Sequence, residues 1–216
     1  EVEKGFPSEV EKQMKILSQE LSSARTKRDT SALPRDTIKK FSEKQSNAVH
    51  KASKPGILSV DVHSKDSDKI VTGGVDGSAV LFDRAAKKKL ATLTGHSKAV
   101  TQVSFHPDST AIATGSQDKT IRVWNAEQGS NAYKSHSISS HSGEITSLQF
   151  HPLSNYIVST SQDQTWGFHD IERATTVATS SKDSVSSPMS CGGVHPDGLL
   201  LATGQQDGSI NLWNIA

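Results

Sequence analysis

Histidine, serine or threonine, and aspartate recur together along this chain. His96, Thr114 and Asp118 form one group, and His141, Ser159 and Asp163 form another. A hydroxyl beside an imidazole that is itself held by a carboxylate is the arrangement of a nucleophilic hydrolase. Nine histidines also raise the question of a metal site. The spacing argues against both. Asp76, Asp118, Asp163 and Asp207 follow one another at separations of 42, 45 and 44 residues. Thr72, Thr114, Ser159 and Thr203 stand four positions before them, and His96 and His141 stand 22 positions before theirs. An active site needs one nucleophile, not one in every repeat. His106, His151 and His195 also share a single slot, each followed by Pro, so they come one per repeat with no Cys pair nearby. The expectation is therefore no catalytic residue, no cofactor and no metal.

The elements that would carry these residues are short. From His50 onward apolar and polar residues alternate in brief runs broken by Gly, Asp, Ser and Pro, the pattern of strands in series. The chain has 216 residues, 24 basic against 23 acidic, which gives no reason to expect nucleic acid or an anionic membrane as the main partner. Its one cysteine, Cys191, permits no intrachain disulfide and fits a reducing compartment; it reads as a small buried filler in a strand. No apolar run approaches the ~20 residues of a membrane span, and no secretory signal opens the chain. Residues 1–28 read as an amphipathic helix: Ser8 and Glu11 can form a capping box, and Val10, Met14, Leu17, Leu21 and Ala24 form a heptad stripe. That stripe fits either the tail of a coiled coil or a helix docked on its own protein. Residues 29–49 are polar, are interrupted by Pro34, and read as a linker with one further helical turn at 37–41.

A period of 42–45 residues with Gly-His early and Trp-Asp or Trp-Asn late resembles the WD-repeat propeller, and Gly95-His96 with Trp124-Asn125 is the clearest instance. The resemblance implies an all-β fold over residues 50–216, with four-stranded blades near 50–90, 91–135, 136–180 and 181–216, preceded by the α-helical segment. It also implies that His96, Thr114, Asp118 and Trp124 form one hydrogen-bonded set tying the loop before the blade to its inner strands. The other units depart from the pattern. The third keeps His141, Ser159 and Asp163 but has His169 in the Trp slot and Trp166 three positions earlier. The fourth has Thr203, Asp207 and Trp213 but Val185 for the early His. The first has Thr72 and Asp76 but Phe82 for Trp, and its His50 lies 26 residues before Asp76. On this reading only the second unit holds the whole set, and the other blades rely on packing.

Such units ordinarily close as seven, so the chain reads as four blades of an expected seven, an open arc in a fragment of something longer. The segments KIVTGGVDGSAVLFDR, LATLTGHSKAVTQVSFHP and SQDQTWGFHDI, with the irregular third unit, resemble the pre-mRNA-processing factor 19 family. The resemblance implies a nuclear U-box ubiquitin ligase that oligomerises through an upstream coiled coil, serves a spliceosome-associated complex and acts in DNA repair. In it the propeller binds complex subunits and ubiquitylation substrates. No residue of 1–216 corresponds to the U-box. The rival reading is a WD-repeat scaffold without ligase function. Lys98, Asn155, Gln162 and Gln206 fall near loop tips where partners dock, and Arg84 with Lys87, Lys88 and Lys89 reads as a solvated basic loop.

Overall fold

The computed structural model describes residues 8–27, 46–50, 53–54, 56–126, 132–180 and 185–215. Of the linker expected at 29–49, residues 29–45, including the turn at 37–41, lie outside the described residues. Among the described residues, fifteen strands follow one helix. They form four antiparallel sheets in which neighbours in sequence are neighbours in space. The first sheet holds β1 (Ile57–Val62), β2 (Lys69–Gly74), β3 (Ser78–Asp83) and β4 (Lys88–Thr94). The second holds β5 (Val100–Phe105), β6 (Ile112–Ser116), β7 (Ile121–Ala126) and β8 (Tyr133–Ile138). The third holds β9 (Ile145–Phe150), β10 (Tyr156–Ser161), β11 (Trp166–Asp170) and β12 (Thr175–Thr179). The fourth has three strands, β13 (Met189–Val194), β14 (Leu200–Gln205) and β15 (Ile210–Asn214). These are four blades of a β-propeller in an open arc. The boundaries expected at 90 and 135 fall inside β4 and β8, because the Gly-His signature begins only after the outer strand of the preceding blade has ended.

Each aligned aspartate sits in the hairpin between the second and third strands. The next residue takes a left-handed backbone in every case: Gly77 (φ 79°), Lys119 (φ 74°), Gln164 (φ 72°) and Gly208 (φ 87°). The turn thus demands αL at that slot whether or not the sequence supplies glycine.

Blades pack face on face through the apolar half of each alternating strand. Val71, Ala79 and Leu81 of the first meet Val103, Phe105, Ile112 and Trp124 of the second. Ala113, Ile121, Val123 and Ile138 of the second meet Ile145, Leu148 and Ile157 of the third. The inner strands come very close. A Cβ on Gly115 would lie 2.6 Å from Ile145 Cγ2. In the third blade Thr160 fills the corresponding slot, and the space comes from the other side, since a Cβ on Gly192 would lie 2.5 Å from Thr160 Cγ2.

α1 (Ser8–Thr26) carries Glu9 and Glu11 in its first turn and Arg25 in its last, matching the helix dipole. Val10 and Met14 join a core with Val158, Trp166, Phe168 and Ala178 of the third blade and Leu201 and Ile215 of the fourth. Arg25 reaches Asp197 at 3.3 Å. Of the two readings of the heptad stripe, the structure takes the second: the helix docks on its own chain. Cys191 corrects an expectation, since it lies exposed on β13. The face of the fourth blade that carries it has no blade against it among the described residues.

Candidate protein-interaction surface

The second blade brings its four aligned residues together. Trp124 Nε1 donates to Thr114 Oγ1 (2.9 Å), Thr114 Oγ1 meets His96 Nε2 (2.8 Å), and His96 Nδ1 meets Asp118 Oδ2 (2.9 Å). A neutral imidazole carrying its proton on Nδ1 lets every hydrogen in this line point the same way, from indole to carboxylate. Asp118 also accepts the amides of Ser97 and Thr120 and the Thr120 hydroxyl. Burial alone would raise its pKa, but the Thr120 hydroxyl, the His96 imidazole and the Thr120 amide outweigh burial and bring it down to about 2. Burial likewise pushes His96 down, against the pull of Asp118.

The expectation that the second blade alone holds a full set does not survive the structure. In the third, His169 Nε2 meets Ser159 Oγ (2.7 Å), Ser159 Oγ meets His141 Nε2 (2.7 Å), and His141 Nδ1 meets Asp163 Oδ2 (3.2 Å). The imidazole of His169 stands where the indole would stand and offers the same N–H. Its Nδ1 then takes the Thr176 hydroxyl at 3.1 Å, which extends the line to the outer strand. Burial, and secondarily His141, take His169 down to about 3, so it is neutral. Asp163 lies well below the usual carboxylate range: burial opposes this, but the bonds from His141 and Thr165 prevail. Trp166, displaced to the start of β11, packs edge-on against Trp213 at 6.0 Å and joins the core that receives α1.

The first blade also has its histidine. His50 Nδ1 meets Asp76 Oδ1 (3.1 Å) and His50 Nε2 meets Thr72 Oγ1 (2.9 Å). The spacing of 26 residues hid this pairing; the longer approach still delivers the ring to the same place. Phe82 supplies no indole N–H; Thr72 Oγ1 lies 3.4 Å from the Val80 carbonyl, as Thr114 Oγ1 lies 3.5 Å from that of Arg122. In the fourth blade the line is cut in the middle. Trp213 Nε1 donates to Thr203 Oγ1 (2.9 Å), and Asp207 takes the hydroxyls of Ser209 (2.6 Å) and Ser186 (3.1 Å). Val185 fills the histidine slot as a buried apolar group.

A second periodic set was not foreseen from the sequence. Side chains on each inner strand bond to the backbone of the next inner strand, 44 or 45 residues on. Ser59 Oγ accepts from Val103 N, and Asp61 Oδ2 from Phe105 N. Thr101 and Gln102 donate to the carbonyls of Ile145 and Thr146. Ser147 donates to Gly192 O, and Gln149 Oε1 accepts from Val194 N. The clue was present as polar residues alternating with apolar ones on the inner strands, but their types differ from blade to blade. The histidines that follow the inner strands also join blades: His63, followed by Ser64 and not by Pro, meets Ser109 O at 3.3 Å, and His151 meets Gly198 O at 2.8 Å. His195 meets Arg25 of α1 at 3.3 Å.

Serving as a structural tie thus occupies the candidate residues one set at a time, and no two blades pool theirs. Among the described residues, no three of His, Cys, Asp or Glu converge as a metal site. What is left open is a cleft of about 380 Å³ at the ends of the inner strands, bordered by Asp61, Ser104, Gln149, His151, Val194 and His195. The loop-tip residues stand apart from it. Gln162 bonds Glu144, Lys98 offers its carbonyl to Ser116, and the Gln206 amide bonds Pro188. Arg84 of the expected solvated basic loop pairs with Asp68.

Comparison with known proteins gives the same picture. The family model described as "WD domain, G-beta repeat" matches residues 44–83, 87–125, 133–170 and 175–214. Each matched stretch ends with the third strand of a blade, so the sequence unit runs one strand ahead of the structural one. The chain is 39% identical over 181 residues to pre-mRNA-processing factor 19 homolog 2 of Arabidopsis thaliana, covering 83% of this chain and 34% of that protein. It is 36% identical over 180 residues to pre-mRNA-processing factor 19 of Oryza sativa subsp. japonica, covering 83% and 34%. It is 44% identical over 167 residues to pre-mRNA-processing factor 19 of Homo sapiens, covering 77% and 32%. The chain therefore spans about a third of the length of these relatives. Four matched units folded as four successive blades leave one assignment: the chain belongs to the WD domain, G-beta repeat family.

Proposed function

We propose that this chain is a protein-binding platform in pre-mRNA processing, working in the nucleus. One observation carries the reading: the repeated His, Ser/Thr and Asp residues are engaged in tying each blade to the loop before it, and the inner-strand rungs in tying blade to blade, which leaves the rims and the cleft at the ends of the inner strands as surface to meet other molecules. A rigid scaffold presenting variable loops is how such folds bind partners. The likeness to proteins named pre-mRNA-processing factor 19 supplies the process. Membership of a spliceosome-associated complex, delivery of substrates to a U-box ubiquitin ligase, a part in DNA repair and oligomerisation through an upstream coiled coil belong to this proposal as its finer content.

The test is purification of the tagged chain from nuclear extract with quantification of spliceosomal small nuclear RNAs against ribosomal RNA. Enrichment of the former supports the platform in splicing; equal recovery of both contradicts it. Adding ubiquitin and its activating and conjugating enzymes to the same eluate reads the ligase content separately. Ubiquitylated bound proteins support it, and their absence from an eluate rich in small nuclear RNAs favours a scaffold without ligase function.

A further inference from the structure

The seams between successive blades are built from matching positions, and they finish differently at the side where inner strands end and outer strands begin. Between the third and fourth blades these positions hold Tyr156, Phe168, Val177, Val194, Leu199 and Ile215, which belong to the core that takes Val10 and Met14 of α1. Between the second and third, Phe150, Ile171 and Ala174 pack over the core that holds Val123 and Ile157. Between the first and second, the same positions hold Lys69, Leu81, Leu90, Phe105, Thr110 and Ala126, and they leave a cavity of about 200 Å³. Three exchanges open it: Lys69 stands for Tyr156, Thr110 for Leu199 and Ala126 for Ile215. Leu81 and Phe105 are its buried floor, Leu90 its half-buried wall, and His63 and Tyr133 complete the lining.

The basic loop of the first blade runs straight into this cavity. Lys87, Lys88 and Lys89 lead to Leu90 at the start of β4, and strand alternation puts Lys88 on the face of Leu90. All three lysines are exposed and hold no ion pair among the described residues. Pairing already cancels the other cations nearby, Lys69 with Asp66 and Arg84 with Asp68. Asp83, held by the Ala86 amide, is then one negative charge against three lysines. We propose that this seam binds an acidic peptide segment, which inserts an apolar side chain between the first and second blades while its carboxylates meet Lys87, Lys88 and Lys89. The proposal rests on the reading of the chain as a protein-binding platform and names a site and a partner chemistry that the reading leaves open. An apolar anchor seated in a pocket with a polar rim is how a short segment gains both affinity and specificity. The floor favours a peptide over a nucleic acid. Phosphates would satisfy the lysines, but bases need an open aromatic face. Phe105 is buried, with His63 edge-on against it at 5.2 Å.

The test is fluorescence anisotropy of the full chain with labelled synthetic decapeptides. The probe has a central Leu-Phe pair flanked on both sides by Asp and Glu. One control carries Ser-Ser in place of Leu-Phe, another carries Lys in place of the acids, and a decauridine strand stands for nucleic acid. The proposal expects the acidic Leu-Phe peptide to bind about tenfold or more tighter than either control, and to weaken as salt rises. Lys88→Glu with Lys89→Glu, at exposed positions that leave the blade intact by circular dichroism, should lower that affinity by about tenfold. Leu90→Ser should lower it by a similar factor, while Lys15→Glu on the exposed side of α1 leaves it unchanged. No saturable binding, equal affinity for the three peptides, or affinity retained by both seam variants overturns the proposal. Tighter binding of decauridine overturns it in favour of a nucleic-acid site. Recovery of small nuclear RNAs keeps the two readings apart. Enrichment by the unaltered chain with no peptide binding contradicts this site alone, whereas failure of that enrichment contradicts the platform itself.

Discussion

The third and fourth blades both depart from the pattern of the second, and they depart in different ways. The third replaces tryptophan by His169 yet keeps an unbroken line from Asp163 to the outer strand. The fourth keeps tryptophan yet loses the line, because Val185 sits where the imidazole belongs. What the fold requires at the Trp slot is therefore an N–H aimed at a hydroxyl, and indole or imidazole will serve. What it requires at the His slot is a ring with a donor on one side and an acceptor on the other. No apolar residue offers that, so the two ends are satisfied separately.

The largest effect that could break this comparison is removal of the aspartate. Asp163→Ala strips partners from His141 and from the Ser142 amide in a site almost closed to water. Denaturant titration should show a loss of ~2–3 kcal/mol, the usual penalty for orphaned buried groups. Asp207→Ala, at a fully exposed carboxylate, should shift the midpoint far less. Equal losses would mean that the third blade's line does not hold it together.

Acid comes next. Full burial takes His169 from an ordinary 6.5 down to about 3. As pH falls, the unfolded chain takes up this proton first. The stability conferred by the neutral ring is thus whole above pH ~6.5 and drains away as pH falls toward the folded value. Between pH ~7 and pH ~5 the loss is on the order of 1–2 kcal/mol. Asp118, at about 2 against 3.8, adds a loss of the same sign, but only under stronger acid. Unfolding curves of His169→Gln should show a flatter profile between pH ~7 and pH ~5; an unchanged slope would place the titrating group elsewhere.

The smallest effect is a gain. Phe82→Trp puts an indole N–H ten residues after Thr72, the separation that joins Trp124 to Thr114 and Trp213 to Thr203. It should stabilise the first blade by ~0.5–1 kcal/mol, one net hydrogen bond. A lower melting temperature would show that the slot in the first blade has been shaped for a phenyl ring.

The architecture was open to sequence reasoning because the hairpin aspartates recur every 42 to 45 residues, and that spacing holds through the substitutions around them. The site was only partly open. His50 was visible in the sequence but was set aside, because the approach to the first blade is longer and its offset from Asp76 is 26 residues and not 22. His169 was visible as an irregularity, but its chemistry as an N–H donor is lost when the slot is read as tryptophan or nothing. The rungs between inner strands escaped because Ser59, Gln102 and Ser147 share one position and Asp61 and Gln149 another, with residue types that change from blade to blade. Their backbone partners leave no mark in the sequence. Cys191 was misjudged because strand alternation marks a face as buried only when another blade lies against it.

The central claim is that the polar residues of a blade act as one continuous line. A double-mutant cycle between Asp163→Ala and His169→Phe tests it most directly, since these two side chains connect only through His141 and Ser159. Continuity predicts a coupling of at least ~0.5 kcal/mol, the first break making the second less costly. Losses that simply add would contradict it, leaving a set of separate bonds that happen to share a blade.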